Sequence, residues 1–185
     1  MIISISGAPG SGKTSVAKIV AERLGMAFHS VGGIRGRMAL DRGLTLDELN
    51  RVGEGDRTTD TSADDIQKKL GETEDGFVIE GRLSWHFIPQ SFKVYLDCEP
   101  HEAARRVFES RRKREDRDDE PAYASVEEAE RVLADRVASD VRRYRTHYGL
   151  DYRDPAHFDL VIDTTTIPSP EAVADRVLAA LPPTS

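Results

Sequence analysis

Short apolar runs separated by stretches of helical periodicity organise this chain. Ile2-Ile3-Ser4-Ile5-Ser6 is rich in β-branched residues and runs straight into glycines, which predicts a buried strand ending at a ligand loop. Val16, Ile19, Val20 and Leu24 then recur at i, i+3, i+4 and i+8, so the spacing predicts a helix from about Lys13 that Gly25 stops. Met26–His29, Phe77–Ile79, Phe92–Leu96 and Phe158–Ile162 each read as a further strand. Helix starts between these runs are marked by Thr45 with Glu48, by Ser125 with Glu128, and by Ser169 before Pro170. The last helix covers Glu171 to Leu181 and ends at Pro182-Pro183. Strands alternating with helices predict an α/β fold: a five-stranded parallel sheet with helices on both faces.

A length of 185 residues suits one core, so a single domain over residues 1–181 with a short tail at 182–185 is expected. Lys and Arg number 26 against 33 Asp and Glu, with a pI near 5.3, and this argues against a general nucleic-acid binder, which needs a basic face, while leaving room for a local basic pocket. Twenty of those cations are Arg, whose planar fork suits bidentate phosphate contacts. Cys98 is the lone cysteine, which rules out an intrachain disulfide and a cysteine-based metal cluster and predicts a small core residue. No apolar run approaches a membrane span and the N-terminus lacks a basic start, so a cytoplasmic chain with no membrane partner is expected.

Candidate chemistry begins where the first strand ends. Gly7-Ala8-Pro9-Gly10-Ser11-Gly12-Lys13-Thr14, followed by Ser15, satisfies G-x-x-x-x-G-K-[ST] between a predicted strand and a predicted helix. In such a loop the backbone N–H groups point at phosphate oxygens, Lys13 neutralises the β/γ charge and the Thr14 hydroxyl ligates Mg²⁺. This predicts a three-layer P-loop NTPase fold that binds ATP or GTP. Neither D-x-x-G nor N-K-x-D occurs, which speaks against a GTPase switch.

The second half of a site is read from two more segments. Phe77-Val78-Ile79-Glu80-Gly81-Arg82 ends a strand with an acid, a glycine and an arginine, placed at the carboxyl edge of the sheet beside the phosphate loop. Glu80 there either holds the water shell of Mg²⁺ or forms a surface ion pair, and Arg82 reaches towards an acceptor phosphate. Arg136, Asp140 and Arg143 fall at i, i+4 and i+7 of one helix, so one face carries two cations around one acid. That face either binds a nucleotide or is a solvated face laced by ion pairs. Arg111 to Ala124 is dense in Arg, Asp and Glu and reads as an exposed lid.

Taken together these motifs resemble the cytidylate kinases, especially the compact archaeal type. The resemblance rests on Gly7 to Thr14, Ser30-Val31-Gly32-Gly33-Ile34-Arg35, Asp60 with Asp64 and Gln67, Glu80-Gly81-Arg82, the Arg136, Asp140, Arg143 and Tyr144 helix, Tyr148-Gly149-Leu150-Asp151, and Asp159 to Thr164. It departs from the family pattern at Gly33, where an acid is common, and at Gly36, where the arginine of that segment can sit. The resemblance implies transfer of the ATP γ-phosphoryl group to CMP or dCMP, with Mg²⁺ as cofactor and no general base. It implies an acceptor-binding segment over about 31–71, begun by Ser30 and Arg35. Arg82 and Arg143 would meet the acceptor phosphate, while Arg136 and Asp140 face the acceptor. Asp60 and Asp64 are weaker candidates for the base or ribose, or else solvated acids. Among Arg111, Arg112, Arg114 and Arg117, Arg111 and Arg114 are the candidates to touch ATP. A monomer is expected. Two other readings stay open: a kinase with a different small acceptor, and a non-catalytic ATP sensor. The five histidines and Trp85 are read as bystanders and packing groups.

Overall fold

The computed structural model describes residues 1–45, 48, 49, 52, 58–113 and 123–183. Five parallel strands, β1 (Ile2–Gly7), β2 (Ala27–Ser30), β3 (Phe77–Glu80), β4 (Phe92–Asp97) and β5 (Leu160–Asp163), lie in the order β2-β3-β1-β4-β5. The helices are α1 (Lys13–Leu24), α2 (Val31–Asp41), α3 (Thr58–Thr73), the single turn α4 (Ser84–Phe87), α5 (Pro100–Lys113), α6 (Val126–Tyr148) and α7 (Pro170–Ala180).

Alternation along β1 explains the layering. Ile3 and Ile5 pack with Val16, Ala17 and Val20 of α1 and with Val173, Ala174 and Val177 of α7. Ile2 faces the opposite side, where Phe77, Ile79 and Ile88 form a second cluster with Leu70 of α3. Ser4 shares that opposite face and is kept satisfied by Ser91, whose hydroxyl lies 2.8 Å from its own. The predicted caps are present: Ser125 and Ser169 accept from Glu128 N and Ala172 N, and Thr45 with Glu48 forms the reciprocal box. The last strand starts two residues later than the apolar run suggests. Asp154 caps a 3-10 turn at Pro155–His157, and pairing with β4 begins only at Val94 with Leu160.

Register brings the functional segments to one edge. Ile5 and Ser30 both pair with Glu80, and Gly7 pairs with Leu96, so the ends of β1, β2, β3 and β4 are level. The strand order reverses about β1, and the crevice beyond the carboxyl ends of strands at such a point is where open α/β sheets bind ligands.

Candidate active site

The phosphate loop is shaped by its own hydrogen bonds before any ligand acts on it. Ala8 N donates to Leu96 O at 3.0 Å, and the Ser11 hydroxyl, almost fully buried, donates to Ala8 O at 2.8 Å. Gly10 takes a φ of 75°, and a Cβ there would stand 2.5 Å from the Ala103 carbonyl oxygen, so only glycine fits between the loop and α5. Lys13, Thr14 and Ser15 open α1 with their N–H groups at the positive end of the helix. Lys13 Nζ donates to Ala8 O at 2.9 Å. Burial pulls the Lys13 pKa down to about 8, the Arg82 charge pushes the same way, and the Glu80 carboxylate opposes both. Arg136 and Asp140 also act on this ammonium, so residues from α1, the end of β3 and α6 share one electrostatic site.

Glu80 is only 7% exposed, which excludes the surface ion pair as its role. Its Oε1 accepts from the Ser30 hydroxyl at 2.5 Å, and the same Ser30 oxygen accepts from Gly33 N to cap α2. Ser30 therefore ties the end of β2, the start of α2 and the Glu80 carboxylate together. Arg82 follows Gly81, whose N–H donates to Ile5 O at 3.1 Å. The Arg82 backbone is fixed too, since its carbonyl accepts from Ser6 Oγ and from Trp85 Nε1, each at 3.0 Å.

Asp140 is 3% and Arg143 4% exposed and Arg136 is half-buried, so the solvated alternative does not hold for this face of α6. Asp140 Oδ2 lies 2.8 Å from Arg82 Nε and Oδ1 accepts from Arg143 Nη2 at 2.9 Å, so one carboxylate sits between two guanidiniums from distant segments. The Arg82 contact is an ion pair without hydrogen-bond alignment, and Nε and Oδ2 both keep unused hydrogen-bonding capacity. Burial would make Arg82 shed its proton more readily, but the Asp140 carboxylate together with the Tyr152 and Tyr144 phenols outweighs that and holds it charged. Arg136 Nε is likewise buried with no hydrogen-bond partner among the described residues. Arg35, on α2, is half-buried and close enough to Tyr144 for its charge to act on that phenol.

Other candidate residues take less expected places. Asp64 is 8% exposed, and its carboxylate accepts from the Tyr148 hydroxyl, which links α3 to the end of α6. Gln67, three residues on, accepts from Ser84 Oγ at 2.8 Å. Asp60 belongs to α3, and its side chain lies outside the described residues, as do the Arg112 side chain, Arg114, Arg117 and most of the 111–124 lid. Arg111 is half-buried near the end of α5. Sequence reasoning missed Arg106, which donates to Thr164 O at 2.8 Å and Thr165 O at 3.1 Å and so fastens the loop after β5 to α5. It also assigned no work to Tyr144 and Tyr152, whose hydroxyls lie at Arg143 and Arg82, or to Tyr148, which holds Asp64.

A nest of backbone amides with a lysine, facing buried arginines across the same sheet edge, defines a P-loop phosphotransferase fold. Solved structures agree at the level of fold. A shikimate kinase from Bacteroides thetaiotaomicron superposes with a TM-score of 0.64 at 15% identity over 98% of this chain and 99% of its own. An uncharacterized protein from Eubacterium ventriosum does so at 0.70 and 16%, over 97% and 96% of the two chains. Sequence narrows the class: residues 2–166 match the cytidylate kinase-like family, and the chain belongs to it. Curated relatives include the cytidylate kinase of Methanothrix thermoacetophila, 36% identical over 89% of this chain and 88% of its own. That of Natronomonas pharaonis is 36% identical over 98% of this chain and 89% of its own.

Proposed function

We propose that this chain transfers the γ-phosphoryl group of ATP to CMP or dCMP. The observation that carries the reading is the buried Asp140 carboxylate between Arg82 and Arg143, beside Lys13 and the amides of the phosphate loop. Two anion sites, one for a donor triphosphate and one for an acceptor monophosphate, then share a single crevice.

The steps follow from charge and position. The loop amides and Lys13 hold the donor phosphates, and the acceptor's phosphate oxygen attacks in line. That oxygen is already anionic, so no side chain has to remove a proton. Arg82 lies between the two sites and screens charge on the transferring group, while Arg136 and Arg35 border the acceptor. In the free protein Asp140 serves as counter-ion to both arginines. The arriving phosphate replaces it in that role, and Asp140 turns to the ribose hydroxyls. Mg²⁺ fits the hard oxygen donors at hand, the Thr14 hydroxyl and the buried Glu80 carboxylate, since this ion keeps its waters and asks for only one or two protein ligands. When bound, it neutralises charge on the β- and γ-phosphate oxygens. Arg111 and Arg114 bring the lid segment to the donor and exclude water.

A coupled assay of ADP release with ATP and CMP, dCMP, UMP, AMP, GMP or shikimate tests the reading. CMP and dCMP should give the highest kcat/KM. A faster rate with any other acceptor, or ATP binding with no acceptor-dependent turnover, would overturn it.

A further inference from the structure

Two tyrosines stand behind the two arginines, one each. Tyr144 Oη accepts from Arg143 Nη2 at 3.0 Å, and the Arg143 guanidinium carbon lies 4.9 Å from the centre of the Tyr144 ring. Tyr152, 0% exposed, has its ring centre 6.0 Å from the guanidinium carbon of Arg82. The two rings meet edge to face, 5.5 Å apart at 88°, so each braces the other. Asp140 completes a symmetric set in which each of its oxygens holds one arginine and each arginine has its own phenol.

Packing alone does not explain the hydroxyls. Phenylalanine would fill the same volume without burying a polar group, which is costly unless that group is used. Among the described residues the Tyr152 hydroxyl has no aligned hydrogen bond, and the cation it faces is Arg82, whose charge eases an ionisation that burial otherwise pushes up. The Arg82 backbone is already pinned through its carbonyl to Ser6 and Trp85, so only the direction of its side chain remains to be set. Asp140 and Tyr152 are the groups in place to set it.

We propose that Tyr152 and Tyr144 are positioning residues that aim Arg82 and Arg143, respectively, at the phosphates in the crevice. The proposal rests on the phosphotransfer reading above and adds a division of labour to it. Arg82 is tied through its carbonyl to Ser6, the residue before the phosphate loop, and its charge reaches Lys13, so it belongs to the transferring group and its aim governs turnover. Arg143 stands on the buried face of α6 with Tyr144 bonded to it, and the charges of Arg82 and Arg35 also reach that phenol; on the phosphotransfer reading Arg143 meets the acceptor phosphate, so its aim governs acceptor binding.

Steady-state kinetics with ATP and CMP on the full chain separate the two roles. Tyr152→Phe should lower kcat on the order of tenfold with KM for CMP within about twofold, the loss expected when a buried polar group that faces a charged side chain is removed. Tyr144→Phe should raise KM for CMP by a similar factor and spare kcat. ATP affinity, measured by calorimetry without acceptor, should be unchanged in both. If the wild-type chain turns over CMP but both variants match it within twofold, the tyrosines only pack and this inference fails while the phosphotransfer reading stands. Loss of kcat, KM and ATP affinity together, or a fall in melting temperature with no kinetic split, would equally overturn it. A wild-type chain inert towards CMP would strike the underlying reading instead.

Discussion

Replacing Asp140 by Asn removes a charge that Arg82 and Arg143 share. The carboxylate is 3% exposed and touches the two guanidiniums at 2.8 and 2.9 Å, so the substitution takes a shared counter-charge away from two buried cations. Breaking a buried pair by taking away one partner costs about 3–5 kcal/mol. In a domain of this size each kcal/mol moves the melting temperature by about 2–4 °C, so Asp140→Asn should melt roughly 6–20 °C below wild type. An anion that binds the arginines should return part of that loss, because a ligand stabilises only the folded state that it prefers. Inorganic phosphate is the clean probe, since it has no ribose for residue 140 to contact. Its binding to the amide loop is common to both proteins and cancels in the comparison. Thermal melts with increasing phosphate should therefore raise Asp140→Asn by several degrees more than wild type. A variant melting within 1 °C of wild type, or equal phosphate gains in the two proteins, would refute the idea that this carboxylate stands where an acceptor phosphate binds.

Lys13→Met makes the opposite prediction for stability. A fall from 10.5 to about 8 means that the folded chain disfavours the charged ammonium by about 3 kcal/mol at neutral pH. Between about pH 8 and 10.5 the unfolded chain holds this proton and the folded one does not, so wild-type stability from this group rises with pH there and is lowest below pH 8. In urea melts without nucleotide at pH 7, Lys13→Met should be up to about 3 kcal/mol more stable than wild type, with the gap closing towards pH 10, while ATP turnover falls by orders of magnitude. A less stable variant would show that the burial cost is misjudged. Gly81→Ala would place a Cβ 2.5 Å from Ser84 Oγ and 2.7 Å from Val31 Cγ2, which pushes the Glu80-Gly81-Arg82 turn away from α2 and α4. Its kcat/KM for CMP should fall at least tenfold with ATP affinity nearly retained, and an unchanged kcat/KM would mean that this turn does not set the acceptor site.

What could be read from the sequence follows how local each feature is. The loop from Gly7 to Thr14 is specified by its own residues, and the five apolar runs mark the five strands because each is short and set between helical stretches, with β1 and β3 buried on both faces. The cap pairs at Ser125, Thr45 and Ser169 are equally local. Trp85 is a packing aromatic, stacked on His157 at 4.3 Å, yet its indole N–H also fixes the Arg82 carbonyl, a link that no spacing rule contains. The i, i+4, i+7 pattern places Arg136, Asp140 and Arg143 on one helix face, but whether that face meets solvent or Arg82 depends on a strand end far away in the chain. Asp64 illustrates the same limit: two acids one turn apart usually face water, whereas this one is covered and held by Tyr148. The tyrosine partners of the arginines are the least legible, since their hydroxyls find their neighbours only once the tertiary fold brings Tyr152 to Arg82 and turns Tyr144 towards Arg143.

Central to the proposed chemistry is a buried arginine cluster that grips the acceptor through its phosphate. Calorimetric titration of the wild-type chain with CMP and with cytidine, which differ only by that phosphate, measures this directly. CMP should bind with at least a hundredfold higher affinity, the difference expected when two or more charge-assisted hydrogen bonds are lost. Cytidine binding as tightly as CMP would mean that the nucleoside rather than the phosphate is recognised, and would contradict the role of Arg82, Asp140 and Arg143 in holding the acceptor.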